Sequence, residues 1–196
     1  MAKMRSPGPT LILFSVISSY CFLLATTPSC LGDDWPQWMG THRDNTWRET
    51  NIIDSFPTSG ANILWRHPVG GGYAGPAVSR GRVYISDFKS DTQPQQNANQ
   101  RKNSLGKERT LCLDERTGEL LWEHSYPVTY SISYPAGPRC TPNVDIDRVY
   151  TLGAQGDLQC LDAITGQPQW VRNLARDYST TPAIWGYSGH PLVVGE

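Results

Sequence analysis

The chain has little charge of either sign and only one apolar stretch of any length, and each shortage excludes a class of protein. Its 196 residues carry 17 Lys and Arg against 18 Asp and Glu, which gives a net charge of -1. Because no basic field surrounds such a protein, nucleic-acid binding is not expected. The apolar stretch, residues 11–25, is shorter than the ~20 residues of a membrane-spanning helix, which excludes a multi-span membrane protein.

Motifs of common enzyme and metal sites are also missing. The five cysteines form no C-x-x-C and no adjacent pair, and the four histidines show no H-x-x-x-H or H-E-x-x-H spacing. No serine lies in a G-x-S-x-G elbow. The sequence therefore assigns no catalytic residue and no metal site, and it favours a protein that is not an enzyme.

Glycine, proline and aromatic residues are abundant. Gly 18 and Pro 15 together supply 33 of the 196 residues, and 10% of the chain is aromatic, including seven Trp. This composition predicts a turn-rich chain with a packed core rather than a helical bundle.

The first 32 residues have the order of a secretory signal peptide. Lys3 and Arg5 precede the apolar stretch, and small residues follow it up to Gly32. We expect residues 1–32 to be removed, with cleavage after Ser29 or Gly32, and an uncleaved anchor helix is the alternative. Lipid anchoring at Cys30 is disfavoured because the residues before it match a lipoprotein signal poorly. The mature chain is then exported, to the periplasm or beyond.

An internal repeat organises the rest of the chain. Residues 112–122 read CLDERTGELLW and residues 160–170 read CLDAITGQPQW, with an offset of 48. Residues 76–84, PAVSRGRVY, correspond to residues 142–150, PNVDIDRVY, with an offset of 66. The 18 additional residues predict an insertion in the first unit, and the polar segment Lys89–Arg109 is expected to be a disordered surface loop, with a partner-binding arm as the alternative.

Each repeat unit is predicted to contain four short strands with turns between them. The strands are expected at about 75–79, 82–88, 110–113 and 120–124, and again at 141–145, 148–153, 158–161 and 168–172. A lone strand at 63–67 precedes them, and a third unit begins at 181–185, followed by an apolar strand at 192–194. Four strands per unit of ~40–50 residues are typical of β-propeller blades. We therefore predict an all-β fold, an incomplete β-propeller of about two and a half blades, in a fragment of a longer chain.

The shared motif has a structural interpretation at every position. Asp114 and Asp162 cap a turn, Thr117 and Thr165 add a hydroxyl to it, and Gly118 and Gly166 provide positive φ. Trp122 and Trp170 then begin the outer strand, where a large ring fills the gap between neighbouring blades. A ligand-binding role for these residues is disfavoured because they recur at a structural period.

The repeat resembles that of the pyrroloquinoline quinone (PQQ) propellers, whose signature is similar to A-x-D-x-x-T-G-x-x-x-W. Residues 35–40, WPQWMG, resemble the N-terminal segment of secreted bacterial PQQ-like repeat proteins. The resemblance implies an N-terminal segment at 33–62 and propeller repeats over 63–196. A PQQ-dependent dehydrogenase would also need an adjacent cysteine pair, a calcium-binding carboxylate set and a catalytic aspartate, and none is recognisable here. No cofactor is expected, with PQQ as the alternative.

Three functions fit the sequence. The first is an exported noncatalytic scaffold that binds a protein or envelope partner, as in a propeller lipoprotein of outer-membrane assembly from the same repeat superfamily. The second is a PQQ-dependent oxidoreductase. The third is a sugar- or polymer-binding module, since Tyr134 and Arg139 lie in a connection between blades that would reach a central mouth suited to a small-molecule ligand.

Overall fold

The computed structural model describes residues 32–50, 52–91, 103–133 and 137–195. The predicted signal peptide, residues 1–32, lies outside these ranges except for its last residue. The described part of the chain forms eight strands and one short helix: β1 (Ala77–Ser79), β2 (Arg82–Ser90), β3 (Ser104–Asp114), β4 (Leu120–Tyr130), β5 (Asn143–Asp145), β6 (Arg148–Leu152), β7 (Asp157–Asp162), β8 (Pro168–Asn173) and α1 (Leu174–Asp177). The chain is all-β, as the sequence predicts.

The strands form two four-stranded antiparallel sheets in the orders β1-β2-β3-β4 and β5-β6-β7-β8. Consecutive strands are hydrogen-bonded neighbours, which is the architecture of a propeller blade. Both sheets have the same register, with a tyrosine, a cysteine and a tryptophan in one row: Tyr84, Cys112 and Trp122 in the first, and Tyr150, Cys160 and Trp170 in the second. The two predicted blades are confirmed.

The prediction of a loop over Lys89–Arg109 is wrong at both ends. β2 continues to Ser90 and β3 begins at Ser104, so most of the predicted loop outside residues 92–102 belongs to the sheet. Residues 92–102, the centre of the segment, lie outside the described residues. The insertion therefore lengthens the first blade instead of interrupting it.

The hairpin extension is the lengthened part of the first sheet and comprises residues 87–90, 104–108 and 125–130. Side chains along it alternate between the two faces of the sheet, so that Glu108 is buried and Lys107 is exposed. This period of two is the mark of a strand. It is hidden in the sequence because polar residues occupy both faces.

The predicted third unit does not form a sheet. Asn173 caps α1 by accepting a hydrogen bond from the backbone N–H of Arg176 at 2.9 Å. Residues 178–195, all of them described, contain no strand. Their backbone bonds instead to loops of the two blades, as when Tyr187 N–H donates to Ala154 O at 2.9 Å. The strands predicted at 181–185 and 192–194 are therefore wrong. No helix in the described part of the chain is long and apolar enough to cross a membrane.

The main core lies between the two sheets. The first sheet contributes its tyrosine-cysteine-tryptophan row, and the second sheet contributes the opposite face of its strands. The members of this core are Ala77, Tyr84, Cys112, Trp122, Val144, Val149, Leu161 and Ala163. Each large apolar side chain that is fully buried there stabilises the fold by ~1.5–3 kcal/mol.

The N-terminal segment connects the inner strands of the two sheets. Trp35 exchanges two backbone hydrogen bonds with Val78 of β1, at 2.9 and 3.0 Å, and Pro36 O accepts one from Val144 N–H of β5 at 2.8 Å. The segment therefore binds across both blades.

Candidate functional site

The two Asp-x-x-Thr-Gly turns are built around one carboxylate oxygen each. Asp114 Oδ1 accepts from the backbone N–H groups of Arg116 and Thr117 at 2.9 and 2.8 Å, and from the Thr117 hydroxyl at 3.0 Å. These bonds from Thr117 lower the pKa of the Asp114 carboxyl. The second turn repeats the arrangement: Asp162 Oδ1 accepts from the N–H groups of Ile164 and Thr165 at 3.0 and 2.7 Å and from the Thr165 hydroxyl at 2.9 Å.

Trp122 of the first sheet packs on the turn of the second sheet. Its Nε1–H donates to Ala163 O at 3.1 Å, and the hydroxyl of Tyr84 donates to the same carbonyl at 3.2 Å. Gly166, at φ +71°, lies under the indole ring so closely that a Cβ there would come within 2.5 Å of it. The glycine is therefore needed twice, for its positive φ and for the space the ring occupies.

Trp65 makes the same contact with the turn of the first sheet. Its Nε1–H donates to Glu115 O at 2.8 Å, and a Cβ on Gly118 would lie 2.5 Å from its ring. The prediction of a strand at 63–67 is wrong, because these described residues have no neighbouring strand to pair with. The tryptophan nevertheless occupies the position of a blade's outer strand.

Trp170 is placed for this contact but has no turn against it among the described residues. It is 39% exposed, compared with 9% for Trp122. Its ring lies 6.0 Å from that of Tyr150 at 51°, and the Tyr84–Trp122 pair has nearly the same geometry, 5.9 Å and 53°. The second sheet therefore carries the same aromatic pair, with Trp170 partly exposed.

The tyrosines of these pairs were missed by sequence reasoning. Both occur in the same short string, Arg-Val-Tyr, at residues 82–84 and 148–150. The recurrence of this string is the sequence signal for the second donor to the turn.

The predicted ligand mouth is only partly described. Tyr134 lies outside the described residues. Arg139 is half-buried, and its guanidinium donates to the carbonyl oxygens of Gly137 and, at 3.3 Å, Ser133, while it lies 5.1 Å from the centre of the Tyr73 ring. Burial lowers the pKa of Arg139. By donating to these backbone carbonyls, the guanidinium stabilises the connection between the blades.

The described residues offer little for a metal or quinone. No group of three or more His, Cys, Asp or Glu side chains within them could hold a metal ion. Cys112, Cys140 and Cys160 are buried free thiols, and burial raises the pKa of Cys140 to about 12.

A separate cavity of about 620 Å³ lies in the N-terminal segment and was not anticipated. Its lining combines two indole rings with acidic and basic side chains: Asp33, Asp34, Trp35, Thr41, His42, Thr46, Trp47, Arg48 and Glu49. Arg48 pairs with Asp44 next to it, and this hydrogen bond lowers the pKa of Asp44 to about 2. Aromatic rings beside polar groups are typical of small-molecule sites.

The chain folds into two antiparallel four-stranded sheets, and a tryptophan of the first sheet packs on the glycine turn of the second. Because the motif that makes this contact recurs at a fixed period, the fold is that of a β-propeller repeat protein. Residues 50–194 match the family model described as "Outer membrane protein assembly factor BamB", and the chain belongs to this family of PQQ-like repeat proteins.

Among solved structures, the chain is similar to "The crystal structure of BamB from Moraxella catarrhalis", at 16% sequence identity and a TM-score of 0.26. The match covers 53% of this chain and 33% of that chain, so it spans about a third of the solved protein. No curated protein matches the sequence.

Proposed function

We propose that the protein is an exported, noncatalytic β-propeller scaffold that binds a protein partner in the cell envelope. The observation that carries the proposal is the use of the repeated motif: the carboxylates, hydroxyls and indoles at fixed spacing bond to their own turns and to the neighbouring blade. These side chains therefore serve to hold the turns and the neighbouring blades together. Membership of the outer-membrane assembly family supports a partner among the proteins of that machinery.

Export is the first part of this proposal. Residues 1–32 carry the sequence features of a signal peptide, and the scaffold would act in the periplasm or outside the cell. N-terminal sequencing of the protein from its native host should begin between Cys30 and Asp34. Recovery of intact Met1 from the cytosol would contradict export. A lipid on Cys30 would mean that the chain is anchored to a membrane and not cleaved after Gly32.

We propose that a further blade docks on the face of the second sheet that carries Tyr150 and Trp170. Trp170 and Tyr150 repeat the geometry of the pair that holds the second turn, so the surface is complementary to another Asp-x-x-Thr-Gly turn. On this proposal the two blades are part of a larger propeller.

A binding experiment tests the scaffold function. The chain is titrated, by calorimetry, with the purified periplasmic regions of the host's own outer-membrane assembly proteins. We expect saturable binding to one of them and none to an unrelated periplasmic protein. No binding to any component would contradict the proposed partner.

The PQQ alternative is tested on the same material by adding the quinone with calcium. A shifted quinone absorbance together with dye reduction in the presence of an alcohol would favour an oxidoreductase. Unchanged absorbance is the result expected of a noncatalytic scaffold.

A sugar- or polymer-binding function is the second candidate, and the cavity in the N-terminal segment favours it. Trp47 is 64% exposed at this cavity, and exposed indoles stack on sugar rings. Binding to a glycan array that is lost in Trp47→Ala but kept in Trp170→Ala would establish this function.

A further inference from the structure

A buried carboxyl joins the hairpin extension of the first sheet to the second sheet. Glu108 is only 3% exposed, although no repeat motif includes it. Its Oε2 accepts a hydrogen bond from the Tyr130 hydroxyl, and its carboxyl also accepts from the Tyr126 hydroxyl and from the backbone of Ala154. Two donors lie on β4, and the third lies in the turn between β6 and β7.

The turn of the second sheet packs directly on this carboxyl. A Cβ on Gly153 would lie 2.6 Å from Glu108 Oε1 and 2.5 Å from the Tyr126 hydroxyl, so only glycine leaves room there. An apolar cluster continues the contact, with the Phe88 ring 4.4 Å from that of Tyr130 and Ala154 beside them. The contact is thus a closed interface with one acidic group at its centre.

Within the described ranges, no cationic side chain forms an ion pair with this carboxyl. Arg139 interacts with Glu108 only through the Coulomb field, and its hydrogen bonds go to two backbone carbonyls. Asp157 of β7 adds a second acid nearby and is held by Asn173 at 2.8 Å.

Among the described residues, the remaining titratable groups that face this interface are a histidine, two tyrosines and a thiol. From β4 come His124, which bonds to Gln159 at 2.7 Å, and the two tyrosines, and from the connection between the blades comes the Cys140 thiol. The hydrogen bonds that the Glu108 carboxyl accepts favour its ionised form, but burial favours the neutral, protonated form and outweighs them.

We propose that Glu108 is a proton-dependent clasp: when protonated it holds the hairpin extension against the turn at Gly153 and Ala154, and when ionised it loosens this contact. The clasp would let the acidity of the surroundings set how firmly the first blade's extension is held. It depends on neither the partner nor the cofactor discussed above.

The sign of the effect follows from the proton balance. Burial raises the pKa of Glu108 to about 7 in the folded chain, from the 4.5 of an exposed glutamate. Between these two values the folded chain binds one proton more than the unfolded chain does. Stability is therefore full below pH 4.5 for this group and falls as the pH rises towards 7.

The test compares Glu108→Gln with wild type from pH 5 to 8. Glutamine keeps the shape and a donor but cannot ionise. One extra proton in the folded state predicts up to a tenfold loss in the folding constant per pH unit between pH 5 and 7 for wild type, and the variant should lack this part of the slope. Glu123→Gln is the matched control, because Glu123 is partly exposed on the opposite face of the same sheet and should leave the slope unchanged.

A local measurement keeps the test decisive if the variant does not fold. Carboxyl carbon NMR of wild type should show one glutamate titrating well above 4.5. The protection factor of the Ala154 amide, which corrects for the faster intrinsic exchange at higher pH, should fall over the same pH range, while the protection factors of the β7 amides should not. Parallel pH slopes in wild type and Glu108→Gln, or a Glu108 carboxyl that titrates at its ordinary value, would overturn the clasp.

Discussion

Replacing Trp122 with alanine measures the contact between the two sheets. The ring is 9% exposed, and its Nε1–H bond to Ala163 O is lost with it. Large aromatic residues removed from a core cost ~3–5 kcal/mol of unfolding free energy, and we expect Trp122→Ala to lie in this range. Trp170→Ala is the matched control, since the residue has the same place in the repeat and no turn of the described part of the chain packs on it.

The expected difference between the two variants comes from their burial. Trp170 is 39% exposed, so it buries about 75 Å² less than Trp122 on a side chain of ~250 Å², worth ~2 kcal/mol. The missing hydrogen bond adds ~1 kcal/mol. We therefore expect Trp170→Ala to cost only ~0–2 kcal/mol.

Urea unfolding followed by far-ultraviolet circular dichroism is the appropriate assay, because it does not depend on tryptophan emission. The slope against urea should be unchanged in both variants, so that the midpoints report stability. Equal losses for the two variants would refute the argument, because burial against the glycine turn would then contribute nothing. A near-zero loss for Trp122→Ala would mean that the sheets do not pack as described.

Three further outcomes follow from the same contacts. Gly166→Ala should be more destabilising than Gly81→Ala in urea melts, because both have positive φ but only the former would place a Cβ against the docked indole ring. Equal losses would leave backbone strain as the whole effect. Arg109→Gln should cost roughly 3–5 kcal/mol in thermal or urea unfolding, because it leaves the buried Asp87 carboxylate, bonded to Arg109 at 2.6 and 2.8 Å, without its cation; a loss below ~1 kcal/mol would contradict this. Asp114→Asn should reduce the loss of stability in acid, because the lowered pKa of Asp114 contributes stability above pH 3.8 that is lost as the pH falls through its folded value; unchanged acid unfolding would contradict it.

The repeat made the blades predictable, and its physical reason is plain. Turn residues and docking tryptophans recur because each blade solves the same packing problem, so two copies 48 residues apart identify strands, turns and register together. The same logic failed for residues 181–185, where β-branched and aromatic residues resemble a strand start but bond to loops of the two blades. A strand needs a neighbour, and sequence pattern alone cannot provide one.

The hairpin extension and its clasp could not be read from the sequence. Glu108 stands in a polar run between Lys107 and Arg109, which has the composition of a solvated loop. Its burial depends on a turn some 45 residues later, at Gly153, that has no side chain to reveal the contact. Candidate site residues in the repeat were identified by their period, whereas this one has no counterpart in the second blade.

The bridge made by the N-terminal segment has a consequence for the order of folding. Pro36 bonds to Val144, and Arg43 donates to Pro191 O at 2.9 Å, a separation of 148 residues. A chain synthesised from its N-terminus therefore produces this segment early, yet the segment cannot be fixed until the second blade and the stretch beyond it exist. Contacts of such long range slow folding because loop closure precedes any gain. Residues 35–43 are thus made before the residues that they bind and are secured only after them, and Trp35 and Trp38 stay uncovered during that interval.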